Sequence, residues 1–221
     1  MLKLKAKGAS AIATLLIAGT AGAATTNGLA NGGFETPGGS FADGWATANS
    51  PAALSSDAHT GAYSALLSVP GGFGASTLFQ DSTAHGHLAP LGAANVGDTP
   101  VLSFWAKGDV AITGNVNFWL RYMGAGGILL DSGPQSFGSA ISTGSWTQIS
   151  FQGAAIPTGT TAVMLEINTA VGPLIDSRVN AVYIDDVQLA LHTAAVPEPE
   201  TYALLMAGLA VVGAIARRRR A

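Results

Sequence analysis

The chain has 221 residues, 48% hydrophobic and only 10% charged, with 29 glycines, no cysteine and a formal net charge of −3. The lack of cysteine excludes a disulfide framework, cysteine-bound zinc and thiol nucleophiles. Scarce charge with abundant glycine argues against a charged helical bundle and for short strands joined by turns.

At the start, Lys3, Lys5 and Lys7 precede an apolar run over residues 9–19 and the small triplet Ala21-Gly22-Ala23. This order predicts a cleavable secretory signal over residues 1–24. The run is too short to serve well as a permanent spanning anchor.

Residues 27–191 are long enough for one domain with its own core. Within them Lys107, Arg121 and Arg178 face eleven acidic residues, a local charge of −8 that the terminal lysines and arginines conceal. Such a surface repels phosphate backbones, so nucleic acid is not an expected partner. Neutral ligands and cations suit it better.

The run over residues 101–106 is apolar enough to be read as a strand buried on both faces, with a turn at Lys107-Gly108-Asp109. Val116, Phe118, Leu120 and Tyr122 then alternate with Asn117, Trp119, Arg121 and Met123. Ile149 and Phe151 alternate with Gln148, Ser150 and Gln152, and Val163, Leu165 and Ile167 with Met164, Glu166 and Asn168. Period-two alternation marks strands with one dry face. Turn signals at residues 124–127 and 157–159 separate them. The predicted fold is all-β, an antiparallel β-sandwich of jelly-roll type.

Catalytic constellations are not found. There is no G-x-S-x-G before a helix, no P-loop and no H-E-x-x-H. His85-Gly86-His87 lies in a loop with no third metal ligand in view. Asp185 and Asp186 are adjacent on a strand and should point to opposite faces. They would then be unable to flank one glycosidic bond as facing carboxyls about 5–9 Å apart. No enzymatic activity is expected, the alternative being a secreted polysaccharide-active hydrolase with an unrecognised site.

Asp185 shares parity with Tyr183, Val187 and Leu189, so it should point inward. A buried carboxylate needs a cation or hydrogen-bond donors. The outward set Asn117, Trp119 and Arg121, with Glu166 and Asn168 on another strand, offers an aromatic ring beside polar groups, as a sugar requires. The competing expectation is that Trp119 lies covered beneath a loop.

Residues 202–216 are apolar or small and uncharged, and Arg217, Arg218, Arg219 and Arg220 follow. As a helix the run rises about 22 Å against a hydrocarbon core of about 30 Å. Bilayer thinning and snorkelling arginines bridge that gap. The arginines would stay cytoplasmic, with the domain on the far side. Pro197 and Pro199 bracket Glu198 and keep that segment extended. The basic end argues against a GPI signal.

Val196-Pro197-Glu198-Pro199, the apolar run and the four arginines together resemble the PEP-CTERM sorting domain. The resemblance covers about 25 residues, with Glu200 where many members carry serine or threonine. It implies export from a Gram-negative cell that makes exopolysaccharide, and processing by an exosortase. An inner-membrane intermediate would precede delivery to the cell surface or extracellular matrix. A second resemblance spans most of residues 27–191. Asn31-Gly32-Gly33-Phe34-Glu35, Gly44-Trp45, His59-Thr60-Gly61-Ala62-Tyr63, residues 102–107, residues 146–149 and Tyr183-Ile184-Asp185-Asp186-Val187 occur in that order. Together they resemble galactose-binding-like jelly rolls that include carbohydrate-binding modules of the 4/9/22 type. That resemblance implies a sugar-binding face and a structural calcium held by Glu35 and Asp185, with Asp186 as the alternative ligand. Together the readings describe an exported, non-enzymatic surface or matrix protein with a structural or carbohydrate-binding role linked to exopolysaccharide.

Overall fold

The computed structural model describes residues 24–85, 90–176, 178–193, 206–209 and 217–218. In chain order its strands are β1 (Ala24–Asn27), β2 (Ala46–Asn49), β3 (Ala53–Ser55), β4 (Ser64–Val69), β5 (Gly74–Asp81) and β6 (Val101–Asp109). They continue with β7 (Gly114–Gly124), β8 (Gly127–Asp131), β9 (Gln135–Ser136), β10 (Thr147–Gln152), β11 (Thr160–Val171) and β12 (Asn180–Thr193). One sheet runs β10-β6-β12-β4-β3, with β1 added to β12; the other runs β2-β5-β11-β7-β8, with β9 added to β7. The strands pair antiparallel, and the predicted all-β jelly-roll sandwich is the fold observed.

Side-chain alternation sets which face of each strand is dry. Val116, Phe118, Leu120 and Tyr122 on β7 are buried, as are Val163, Leu165 and Ile167 on β11. From the opposite sheet Leu102, Phe104 and Ala106 meet them. Phe104 packs edge-on against Phe118 at 5.7 Å and Phe137 at 5.2 Å between ring centroids. Each such side chain contributes about 1.5–3 kcal/mol by leaving water. The burial of polar Gln80 and Ser76 on β5 follows the same parity. Gln80 satisfies its amide by holding both backbone groups of Ala30, at 2.7 and 3.1 Å.

Three local expectations need correction. Residues 101–106 are not buried on both faces: Leu102, Phe104 and Ala106 are, while Val101, Ser103 and Trp105 are only partly so. Lys107-Gly108-Asp109 is no turn but the end of β6. Gly108 sits opposite Val182, and a Cβ there would stand 2.3 Å from the carbonyl oxygen of Ala181. The glycine signals close strand approach, which in the sequence looks the same as a turn.

The third correction concerns β12. Its register against β6 shifts between Asp185 and Gln188, and Asp186 has φ 48°. This is a β-bulge, which inverts the side-chain parity. Val182 and Ile184 are buried before it and Val187, Leu189 and Leu191 after it. Tyr183 therefore belongs to the outer face, not to the inward set of Val187 and Leu189.

The N-terminal motif caps the bulge. Val187 N–H donates to Gly32 C=O at 2.9 Å, and a Cβ on Gly32 would lie 1.9 Å from Val187 C=O. Only glycine fits there. Phe34 is fully buried, 5.1 Å from Trp45 between ring centroids, and the Trp45 indole N–H donates to Asn31 C=O at 3.0 Å. The separated pieces of the sequence motif thus meet at one corner.

Residues 23–194 form one compact unit. Residues 1–22 and 195–221 are assigned to a second, of which residues 206–209 and 217–218 are described and helical. Among the described residues no helix is long and apolar enough to cross a membrane. The predicted signal segment apart from Ala24, the motif at Val196 to Pro199, most of the span at 202–216, Arg219, Arg220 and His87 lie outside the described residues.

Candidate ligand-binding face

The outer face of the β2-β5-β11-β7-β8 sheet collects the outward set of β7 and β11. Trp119 pairs across the strands with Glu166, and Glu166 in turn with Phe79 on β5. With strands about 4.8 Å apart, this places an aromatic residue on either side of one carboxylate. Trp119 is partly exposed. The next row reads Asn117, Asn168 and Thr77, and the row on the other side Arg121, Met164 and Asp81.

Arg121 organises this face. Its Nε donates to Asp131 Oδ2 at 2.9 Å, its Nη1 donates to Glu166, and its guanidinium carbon lies 5.6 Å from the Trp119 ring centre. Burial alone would lower the Arg121 pKa, but hydrogen bonds and attraction from Glu166 and Asp131 outweigh it and raise the value. Arg121 thus remains charged and fixes the Glu166 carboxylate as an acceptor.

Beside this row lies an open groove of about 300 Å3 lined by Ala48, Asn49, Thr77, Phe79, Met164 and Glu166. Thr77 Oγ1 accepts from Asn49 at 3.0 Å and from Asn168 at 2.6 Å. Of the residues expected to bind ligand, Trp119, Arg121 and Glu166 come together, with Glu166 in the groove wall. Asn117 lies one row away, donating to Asn115 Oδ1 at 3.0 Å. Sequence reading missed Thr77, Phe79 and Asn49. The buried Ser76 and Gln80 broke the apolar alternation that would have marked β5, so its outward residues could not be recognised.

The three acidic residues expected near a cation gather at the capped bulge. Asp185 is fully buried, and its Oδ2 accepts the N–H groups of His59 at 2.7 Å and Thr60 at 3.1 Å. Its Oδ1 accepts the N–H of Asp186 at 2.7 Å. Asp186 accepts from Thr60 Oγ1 at 2.6 Å and meets His59 Nδ1 at 2.6 Å. Glu35 accepts the N–H groups of Ala62 and Tyr63, each at 2.9 Å, and Ala62 also at 3.0 Å through its second oxygen. Burial is the main influence raising the Asp185 pKa, and the charge of Asp186 adds to it; the three backbone donors oppose both.

The expectation that Asp185 and Asp186 face opposite ways is thereby overturned. The bulge turns both toward the same His59-Thr60 segment. Calcium takes 6–8 oxygen ligands. All six carboxylate oxygens of Glu35, Asp185 and Asp186 already accept an N–H or O–H or face the His59 ring nitrogen. Among the described residues no group of three or more histidine and acidic side chains has the geometry of a metal site. As arranged, the residues fit a hydrogen-bonded clasp on the 59–63 loop and not a calcium centre. His85 is held by Asp81, Nδ1 to Oδ2 at 2.8 Å.

The PEP-CTERM protein-sorting motif matches residues 195–220. The chain therefore carries that signal, which marks an exported protein. A search of curated sequences returns no match. The fold is similar to the enzymatically active domain of tailspike protein 4 from bacteriophage CBA120, with 18% identity and a TM-score of 0.54. That match covers 75% of this chain and 21% of the tailspike chain, so this chain spans about a fifth of its length. The CBM22-1 xylan-binding domain of Paenibacillus barcinonensis Xyn10C gives 13% identity and a TM-score of 0.49, covering 79% of this chain and 99% of that one. TmCBM61 in complex with β-1,4-galactotriose gives 20% identity and a TM-score of 0.48, covering 74% and 97%.

Proposed function

We propose that the exported domain is a non-catalytic saccharide-binding module, and that the face around Trp119, Glu166 and Phe79 is its binding surface. The observation that carries this reading is the row itself. A partly exposed indole and a phenyl ring flank a carboxylate held as an acceptor by Arg121. A pyranose offers an apolar face to an aromatic ring and hydroxyls to polar groups at its edge. Trp119 provides the first, and Glu166, Asn49 and Thr77 provide the second.

The same arrangement supports the non-catalytic reading. Glu166, the acidic residue of the groove wall, is ion-paired to Arg121, which orients its oxygens as acceptors for hydroxyl groups. Asp185 is buried and committed to loop amides. We further propose that an exosortase-type enzyme processes the tail after a membrane-bound intermediate. The released or anchored domain would then act at the cell surface or in the matrix, with the producer's exopolysaccharide as the natural ligand. Titrating the protein with a panel of neutral oligosaccharides and with that exopolysaccharide tests the binding claim. A hydrolysis screen on the same panel tests the absence of catalysis.

A further inference from the structure

A second concavity lies on the opposite side of the sandwich, on the outer face of β6 and β12. Its volume is about 520 Å3, and its walls include Asp57, Lys107, Asp109, Thr143, Arg178 and Tyr183. The domain has three basic side chains against eleven acidic ones. Two of the three, Lys107 and Arg178, line this one groove, where they cancel Asp57 and Asp109. The domain's net negative charge repels anions, and two of its three cations gathered here weaken that repulsion, with Asp176 as a third carboxylate beside Arg178.

The two cations differ in how firmly they are held. Lys107 Nζ is bonded to Asp57 at 2.5 Å and lies 5.0 Å and 5.4 Å from the ring centres of Trp146 and Tyr183. Its side chain is 13% exposed, so it serves as a fixed part of the wall. Arg178 is 57% exposed, and its nearest carboxylate oxygens, on Asp109 and Asp176, stand 3.8 and 3.7 Å away. Those separations exceed hydrogen-bond length. Its hydrogen bond to Val110 C=O is long, at 3.4 Å. The guanidinium fork, suited to bidentate carboxylate binding, lines a groove whose wall also includes Tyr183.

We infer that this groove is a second saccharide site, selective for an acidic sugar of the hexuronic acid class. The sugar carboxylate takes the Arg178 fork, the pyranose face lies on Tyr183, and Asp57, Asp109 and Thr143 take its hydroxyls. The site is independent of the Trp119 face, so either reading can fail without the other.

Isothermal titration of the full chain in detergent, with trigalacturonate, a mannuronate trimer and neutral galactotriose, tests it. At least one uronate trimer should bind, and binding should weaken with added salt. Losing a charge-assisted bond in Arg178→Ala should weaken it by roughly tenfold or more. Arg178 is exposed, so that variant should keep the wild-type melting temperature. Trp119→Ala should lose affinity for the neutral trimer and keep it for the uronate. Failure of both uronates to bind, equal uronate binding by Arg178→Ala, or loss of uronate binding in Trp119→Ala would each overturn the proposal.

Discussion

The imidazole of His59 lies flat on the indole of Trp105, 3.9 Å between ring centroids and 14° from parallel, while its Nδ1 meets Asp186 Oδ2 at 2.6 Å. One side chain thus ties the 59–63 loop both to β6 and to the bulge of β12. An aromatic stack contributes about 0.5–1.5 kcal/mol and a bond to a carboxylate about 1.5–3. His59→Ala should destabilise the domain by about 2–4 kcal/mol in urea unfolding. His59→Phe, which restores only the stack, should fall between the variant and the wild type. Equal stability of all three would show that the loop is held by its backbone alone.

Asp185 gives a pH dependence of defined sign. Its pKa in the folded protein is raised above the ordinary value of 3.8, chiefly by burial. The folded state therefore binds the proton more tightly than the unfolded chain does, and stability falls as pH rises from 3.8 through the raised value. Below 3.8 both states are protonated and the difference is flat. Against Asp185→Asn, which does not titrate, the wild type should lose melting temperature as pH climbs through that window. A wild-type curve parallel to that of the variant would contradict this account of Asp185.

Chelation tests the clasp directly. A cation bound only by the folded state would raise the melting temperature by mass action. The carboxylates of Glu35, Asp185 and Asp186 are occupied by loop donors, so a chelator should leave the melt unchanged. A clear fall in melting temperature, abolished in Glu35→Gln, would restore calcium to this corner.

The sandwich was legible because β7, β10 and β11 from Val163 onward keep period-two alternation, and a fixed period translates directly into a buried face. The same parity identified Trp119, Arg121 and Glu166 as neighbours on one surface. Parity failed where the backbone itself changes phase. Nothing in Tyr183-Ile184-Asp185-Asp186-Val187 announces a bulge, yet one inserted residue moves Tyr183 outward and brings both aspartates to one loop. Phe79 and Thr77 were hidden for another reason: polar Ser76 and Gln80 occupy the inward positions beside them. The groove holding Lys107 and Arg178 joins residues 71 positions apart in sequence, and local spacing carries no signal of such a meeting.

Sorting makes its own prediction. The proposed exosortase-type enzyme would act at the motif over residues 196–199, within the matched sorting signal. Intact-mass measurement of the protein recovered from the cell surface should find it shortened, without Arg217 to Arg220. Recovery of the full tail would contradict processing.

The central claim is that the Trp119 face binds saccharide, and the most direct measurement is the affinity of wild type and Trp119→Ala for neutral glycans and the producer's exopolysaccharide, with the melting temperature of each. Aromatic anchors dominate small binding sites, so Trp119→Ala should weaken binding by roughly tenfold or more. The domain should stay folded, because Trp119 stands on the outer face and not in the core. Unchanged affinity, no detectable binding by the wild type, or unfolding of Trp119→Ala would each contradict the claim.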